Sequence, residues 1–248
     1  MKNVAYLLLF LAQALFAQPL FEKGNELFRQ GQYEQAAATY ETIIKNGQES
    51  AELYFNLGNT YFKQEKVAPA IFNYEKSLLL DPGNNDIEIN LGYARQLITD
   101  NIEAVAQPGL AGFVNGLSGM YHYDTWAWIA VAFAFVCLGL FAGYYITKKT
   151  ALKRVLFTGV IMAVIIVLAS LIAGFYAKST AGNEHPAIVF ARMVQVKTQP
   201  SAQGDDAFIV HAGVKVHILE TKEQWQKVQL PDESVGWVPS ESIRPLIP

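Results

Sequence analysis

Apolar residues follow three different rhythms along this chain. The first is nearly unbroken: Val4 to Phe16, Trp126 to Ile146 and Val155 to Ala177 are almost wholly apolar, and the last two contain no charge. The second occupies residues 18–100, where small and large apolar positions recur at a fixed long spacing among polar ones. The third begins near Ala187. Short runs follow one another there: Ala187 to Val189, Met193 to Lys197, Ala207 to His211, Val214 to Leu219, Trp225 to Leu230 and Gly236 to Val238. Gln199-Pro200-Ser201, Gly204-Asp205 and Pro231-Asp232 separate them, so this part predicts about five short strands.

The first apolar stretch follows Lys2 and ends in Ala17-Gln18. A positive start, a short apolar core and a small residue at its end predict a signal sequence over residues 1–17, cleaved after Ala17. Its core falls short of the ~20 residues that a bilayer crossing takes. The other two stretches are long enough, and predict transmembrane helices over residues 125–146 and 155–177. Tyr121, Tyr123, Trp126 and Trp128 mark one end of the first, and Tyr144 and Tyr145 the other. Amphipathic rings settle at headgroup depth. Between the two stretches, residues 147–154 hold Lys148, Lys149, Lys153 and Arg154 and no acid. The positive-inside rule places that loop in the cytoplasm and both flanking regions on the far side. The signal sequence asks for the same placement.

Within residues 18–100, Gly24, Gly58 and Gly92 stand 34 residues apart. The middle unit reads Tyr54-x2-Leu57-Gly58-x2-Tyr61, then Ala70-x3-Tyr74, then Pro82. The first keeps Gly24, Leu27, Ala36 and Tyr40; the third keeps Leu91 and Gly92 and stops near Asp100. Small residues at Gly24, Gly58, Ala36 and Ala70 let two antiparallel helices approach, and Leu57, Tyr61 and Tyr74 fill the space between hairpins. No hairpin buries its apolar face alone, so units stack, and Ile87 to Ile98 is expected as the helix that covers the last face. Pro69 fits a first helical turn, and Asp81-Pro82-Gly83 ends that helix. The region resembles the tetratricopeptide repeat family, an all-α solenoid whose members hold peptides or helices in a concave groove. The resemblance places Phe21, Asn25, Phe28, Arg29, Phe55, Asn56, Asn59, Phe62 and Lys63 on the groove side. Asn25 and Asn56 also match the asparagines of the carboxylate-clamp subclass, but its three basic positions are here Phe21, Asp86 and Asn90. Without those cations an acidic chain terminus is not held. The resemblance implies instead a peptide or helix bound through amide and aromatic contacts.

Residues 186–248 predict a small all-β barrel. Val196-Lys197-Thr198-x-Pro200-Ser201, Gly213, Trp225-x2-Val228 and Gly236-Trp237-Val238, in that order, resemble bacterial SH3-like domains. That likeness implies an aromatic groove for cell-wall or peptide ligands, with Trp225 and Trp237 as candidates, although such tryptophans more often belong to the core than to a contact surface. Residues 101–124, with Pro108, Gly109, Gly112, Gly116 and Gly119, read as a linker holding one short helix.

Composition narrows the chemistry. Charged residues are 17% of the chain and the net charge is -3, which excludes the basic balance that a phosphate backbone requires, so no nucleic acid is expected. The one cysteine, Cys137, sits in an apolar run and has no partner for a disulfide or a CxxC site. It reads as a small buried hydrophobe. His211, His217 and His185 lack a cysteine partner or HExxH spacing and read as isolated surface histidines, so no metal or cofactor is expected. Neither GxSxG nor a P-loop occurs. The chain is expected not to be an enzyme.

The full order is a multidomain one: signal, helical array, two spans with a basic loop, then a barrel. It resembles the E-type member of the Bat aerotolerance-operon proteins, with Tyr123-Asp124-Thr125-Trp126-Ala127-Trp128 at the entry to the first span. The resemblance implies a bacterial inner-membrane protein whose N- and C-terminal domains face the periplasm. It also implies partners, namely von Willebrand A-domain membrane proteins and a MoxR-type ATPase, and a role in oxidative or envelope stress. Two functions remain open. One is a protein-binding scaffold; the other is an envelope sensor whose barrel binds cell-wall or peptide ligand and signals through partners. A cytoplasmic loop over residues 147–154 is too small to present an output domain, which favours the scaffold.

Overall fold

The computed structural model describes residues 20–102, 105, 109–183 and 185–247, and the expected signal sequence lies outside them. The chain divides into two compact units. One joins the chain up to Val105 with His185–Pro248, and the other is Ala106–Glu184.

The first unit begins with five helices: α1 over 20–29, α2 over Tyr33–Lys45, α3 over Ala51–Lys63, α4 over Val67–Leu80 and α5 over Asn85–Arg95. The 34-residue period has a direct steric cause. A Cβ on Gly24 would stand 2.4 Å from the Tyr40 ring, and one on Gly58 would stand 2.7 Å from the Tyr74 ring. Each glycine therefore admits a tyrosine from the next helix. Phe21 and Phe55 flank the same two rings, both with centroids 6.0 Å away. The turns inside the hairpins repeat as well. Gly31 and Glu65 both take positive φ, and both turns close with the same pair of backbone bonds. The left-handed backbone is easy for Gly31 and strained for Glu65. Ser50 and Asn84 cap α3 and α5 by accepting from their first-turn amides.

The same unit ends in seven antiparallel strands: β1 Pro186–Val189, β2 Met193–Lys197, β3 Asp206–His211, β4 Lys215–Lys222, β5 Trp225–Gln229, β6 Val235–Pro239 and β7 Ile243–Pro245. Their order in the sheet is β3-β2-β6-β5-β4-β1-β7. Val189, Val194, Val196, Val210, Val216, Val228 and Val238 meet inside as the barrel core. Gly236 lets β6 cross β2, because a Cβ there would fall 2.3 Å from Val196. The expectation of about five strands is corrected to seven. β7 is three residues long, includes a proline, and carries no alternation to read.

The end of the array is covered from two sides. α5 buries Ile87, Leu91 and Ala94 on one side only. These side chains pack on α4 as expected of a covering helix, and the barrel covers a further part of α4. Ile188 and Leu246, 0% and 1% exposed, belong to the same apolar cluster as Ala68, Ile71, Tyr74, Ile87 and Leu91. The turn at Gly213 presses on Ile71, Ile98 and Val67, within 3.1 to 3.3 Å of where a Cβ would stand.

The other unit holds α6 Leu110–Ser118, α7 Tyr123–Ile146 and α8 Thr150–Asn183. Two helical segments, Tyr123–Ile146 and Thr150–Ser179, are long and apolar enough to cross a membrane, with mean hydropathies of 2.2 and 2.9. They pack on each other through small residues: Gly159 lies against Leu140 and Gly174 against Trp126. Ala130, Ala163, Ser170 and Ala173 are buried there. Close approach of this kind supplies the dispersion contact that holds apolar helices together in lipid. Trp126 Nε1 donates to the Ser118 carbonyl at 3.3 Å and ties α6 to α7. The connection between the long helices is 147–149, not 147–154, because Lys153 and Arg154 lie inside α8. The helix also passes Ala177 and continues to Asn183. Charge ends an apolar run without ending a helix, and the first proline after Val155 is Pro186.

The steric role of the glycines is testable by thermal unfolding of the detergent-solubilised chain. Gly24→Ala and Gly58→Ala should each destabilise by about 1–3 kcal/mol through overpacking. Gly92→Ala, where a Cβ meets no described atom within 4 Å, should stabilise by up to about 1 kcal/mol through helix propensity.

Candidate functional site

The array's concave face is built from α1, α3 and α5, and its floor is a ladder of amides and phenols with the same period. Tyr40 Oη donates to Asn25 Oδ1 at 2.7 Å, and Asn56 Nδ2 donates to the same oxygen at 3.1 Å. One unit on, Tyr74 Oη and Asn90 Nδ2 donate to Asn59 Oδ1 at 2.8 and 2.9 Å. Burial pushes the Tyr40 hydroxyl up to about 12 and raises that of Tyr74 further. Both phenols are therefore neutral donors at physiological pH, and the two carbonyl oxygens are fully engaged within the protein. Tyr61 extends the pattern by donating to Glu41.

Two neighbouring depressions open on this floor. Asn25, Phe28, Arg29, Tyr40, Asn56 and Asn59 line one of about 230 Å³. Phe28, Asn59, Phe62, Lys63, Tyr74, Asn90 and Tyr93 line the other, of about 240 Å³. Seven of the nine sequence-derived groove residues thus face the concavity. Phe21 and Phe55 line neither depression and instead wedge against Tyr40 and Tyr74. Asn90, at one of the clamp positions, stands 34 residues beyond Asn56 and joins the groove, and so does Tyr93, 34 residues beyond Asn59, which the sequence motifs do not single out. Arg29 is held along its own helix by Glu26 at 2.7 Å. Lys63 makes no ion pair among the described residues and is the cation left facing the groove.

The two barrel tryptophans do not fill the valine core. Lys227 pairs with Trp237 and Trp225 with Pro239, so alternation puts both tryptophans on the face opposite Val228 and Val238. Trp237 is nonetheless 8% exposed, and Trp225 is the more accessible ring.

Polar contacts lock the barrel to the array beside this site. Glu75 of α4, 6% exposed, accepts from Arg95 Nη2 at 2.6 Å and from Lys215 Nζ of β4 at 2.7 Å. Burial pushes its carboxyl up, but the two cations and their hydrogen bonds outweigh that and hold it below the ordinary carboxylate range. The Arg244 guanidinium sits over Phe190 at 4.2 Å and Phe72 at 5.5 Å from the ring centroids. Such stacking is favourable for a planar cation. Asp100 receives the His211 backbone N–H at 2.6 Å and pairs with its Nδ1 at 2.7 Å. His211 is therefore not the isolated surface histidine expected from its spacing: the chain needed folding to bring Asp100 beside it.

Comparison with known families agrees with both modules. Residues 24–65 match the family described as TPR repeat, residues 51–84 the tetratricopeptide repeat, and residues 194–244 the bacterial SH3 domain. No curated protein matches the sequence. The chain thus combines tetratricopeptide repeats, two helices of membrane-crossing length and apolarity, and a bacterial SH3 domain.

Glu75→Gln should lower the stability of the array–barrel unit by about 2 kcal/mol, the scale of a hydrogen bond to a charged group. The folded-state pKa lies below the unfolded one, so this stabilisation is complete above the ordinary carboxylate range. It is lost as pH falls through the lower folded value. Thermal midpoints of wild type and Glu75→Gln, compared between neutral and strongly acidic pH, should converge on the acid side.

Proposed function

We propose that this chain is a non-catalytic, membrane-anchored scaffold that holds a partner's peptide segment in the concave face of its helical array. The observation that carries the reading is the amide ladder beneath Phe28, Phe62 and Tyr93. It spends the carbonyls of Asn25 and Asn59 on rigidity, while aromatic rings and Lys63 remain for an incoming chain. A fixed floor of this kind lowers the ordering cost of binding. The occupant is an extended peptide with apolar side chains for the rings and an acidic side chain for Lys63. The barrel contributes a second surface through Trp225 and Trp237, suited to a cell-wall or peptide ligand.

In this reading α7 and α8 cross the bacterial inner membrane with the 147–149 turn in the cytoplasm and both binding modules in the periplasm. Lys148, Lys149, Lys153 and Arg154 at the turn support that orientation. The order of modules, resembling the E-type Bat proteins, supports von Willebrand A-domain membrane proteins and a MoxR-type ATPase as partners, in an aerotolerance or envelope-stress complex. Deleting residues 186–248 is a poor way to separate scaffold from sensor, because it would strip Ile188 and Leu246 from the array's own cluster. Point variants are required.

Co-purification from detergent extract provides the test. Phe28→Ser with Lys63→Glu should reduce recovery of the wild-type partners by about tenfold or more, the scale of losing an interface hot spot. Equal recovery from a variant with an unchanged thermal midpoint would rule the groove out. For orientation, cysteines placed at Lys148 and at Ser201 in a Cys137→Ala background should differ. Only the second should react with a membrane-impermeant maleimide added outside spheroplasts.

A further inference from the structure

The repeat leaves an empty seat at its own end, on a side of α5 distinct from the peptide-binding floor. In the first two units a tyrosine ring covers a glycine and leans on an aromatic three residues earlier: Tyr40 on Gly24 and Phe21, and Tyr74 on Gly58 and Phe55. One period on, Gly92 has no described atom within 4 Å of where its Cβ would stand. Ile89, in the place of Phe55, is 45% exposed. The barrel covers α4 and leaves this face of α5 open.

The filled seats say what fits the open one. In the second unit, Lys76 follows Tyr74 by two residues and lies 5.7 Å over the Tyr54 ring. The position 34 residues beyond Tyr54 is Glu88, which is exposed, with exposed Asp86 close by in the first turn of α5. A cation two residues beyond the seated ring would therefore meet a carboxylate where Lys76 meets only a ring face. The hydroxyls of Tyr40 and Tyr74 are received by Asn25 and Asn59, whereas the third unit has Tyr93 there. The seated side chain has no carbonyl to find, so phenylalanine or leucine suits it better than tyrosine.

We infer that the Ile89–Gly92 face of α5 docks an amphipathic helix of a partner protein, antiparallel to α5, with a large apolar side chain over Gly92 and a lysine or arginine two residues later opposite Glu88. This helix completes the third hairpin in trans.

The test uses the full chain in nanodiscs and, as probe, a stapled fluorescent peptide with the sequence of α4, Val67–Leu80, carrying Tyr74→Phe. Anisotropy should show saturable binding. Gly92→Leu should weaken it about tenfold by filling the seat, and Gly92→Ala should weaken it less while raising the thermal midpoint. Glu88→Lys should weaken it about fivefold, and a peptide bearing Lys76→Glu should recover the loss through the reversed pair. Absence of saturable binding, or binding indifferent to Gly92→Leu and to the charge swap, would overturn the proposal. So would a concentration-dependent dimer, seen by sedimentation, that Gly92→Leu abolishes, since the seat would then belong to a second copy.

Discussion

An apolar helix face has to be covered, and in a stack of helical hairpins the last face has no hairpin of its own kind to cover it. The present chain meets that constraint in two ways at once. The outer side of α4 is closed by a β-barrel that supplies Ile188 and Leu246 to the helical core. The outer side of α5 around Gly92 meets no atom of the described residues within 4 Å. Everything notable about the binding surface follows from this asymmetry, because the barrel fixes the array at α4 while the groove stays free along α1, α3 and α5.

The seam between helices and barrel is apolar in its middle and polar at its edges. Glu75 is buried and relies on Arg95 and Lys215, both of which reach solvent. A carboxylate so placed discriminates between correct and incorrect docking more than it adds to net stability, since a shifted barrel would leave the charge unpaired. The Arg244 guanidinium against the edge-to-face pair Phe72 and Phe190 works with less demand on direction. Together they make the two modules a single mechanical piece, which a linear reading of two domains does not suggest.

Much of this was legible in the chain before folding. The glycine period located the hairpins because close packing under a tyrosine tolerates no Cβ, a constraint that acts within about one repeat. The β-strands were legible as short apolar runs set off by turn residues, and β7, three residues long with a proline, was not. The same period places the groove, yet it does not separate its lining from Phe21 and Phe55, whose rings support Tyr40 and Tyr74. Pattern alone does not say which of two neighbouring faces a phenylalanine prefers. The seam was invisible for a different reason. Glu75 and Lys215, or Asp100 and His211, share no local rhythm, and only the closed fold brings them together.

That separation in sequence carries its own cost during synthesis. The Asp100–His211 and Glu75–Lys215 contacts span 111 and 140 residues, and the apolar helices α7 and α8 lie between their partners. A growing chain therefore finishes its array while the piece that shields α4 is still unmade, and long loops must close before that contact forms. Until then Ile71 and its neighbours are exposed to solvent, where unfinished helical stacks invite aggregation or proteolysis. Closure of the seam between helices and barrel thus waits on residues 186–248, which follow both apolar helices along the chain.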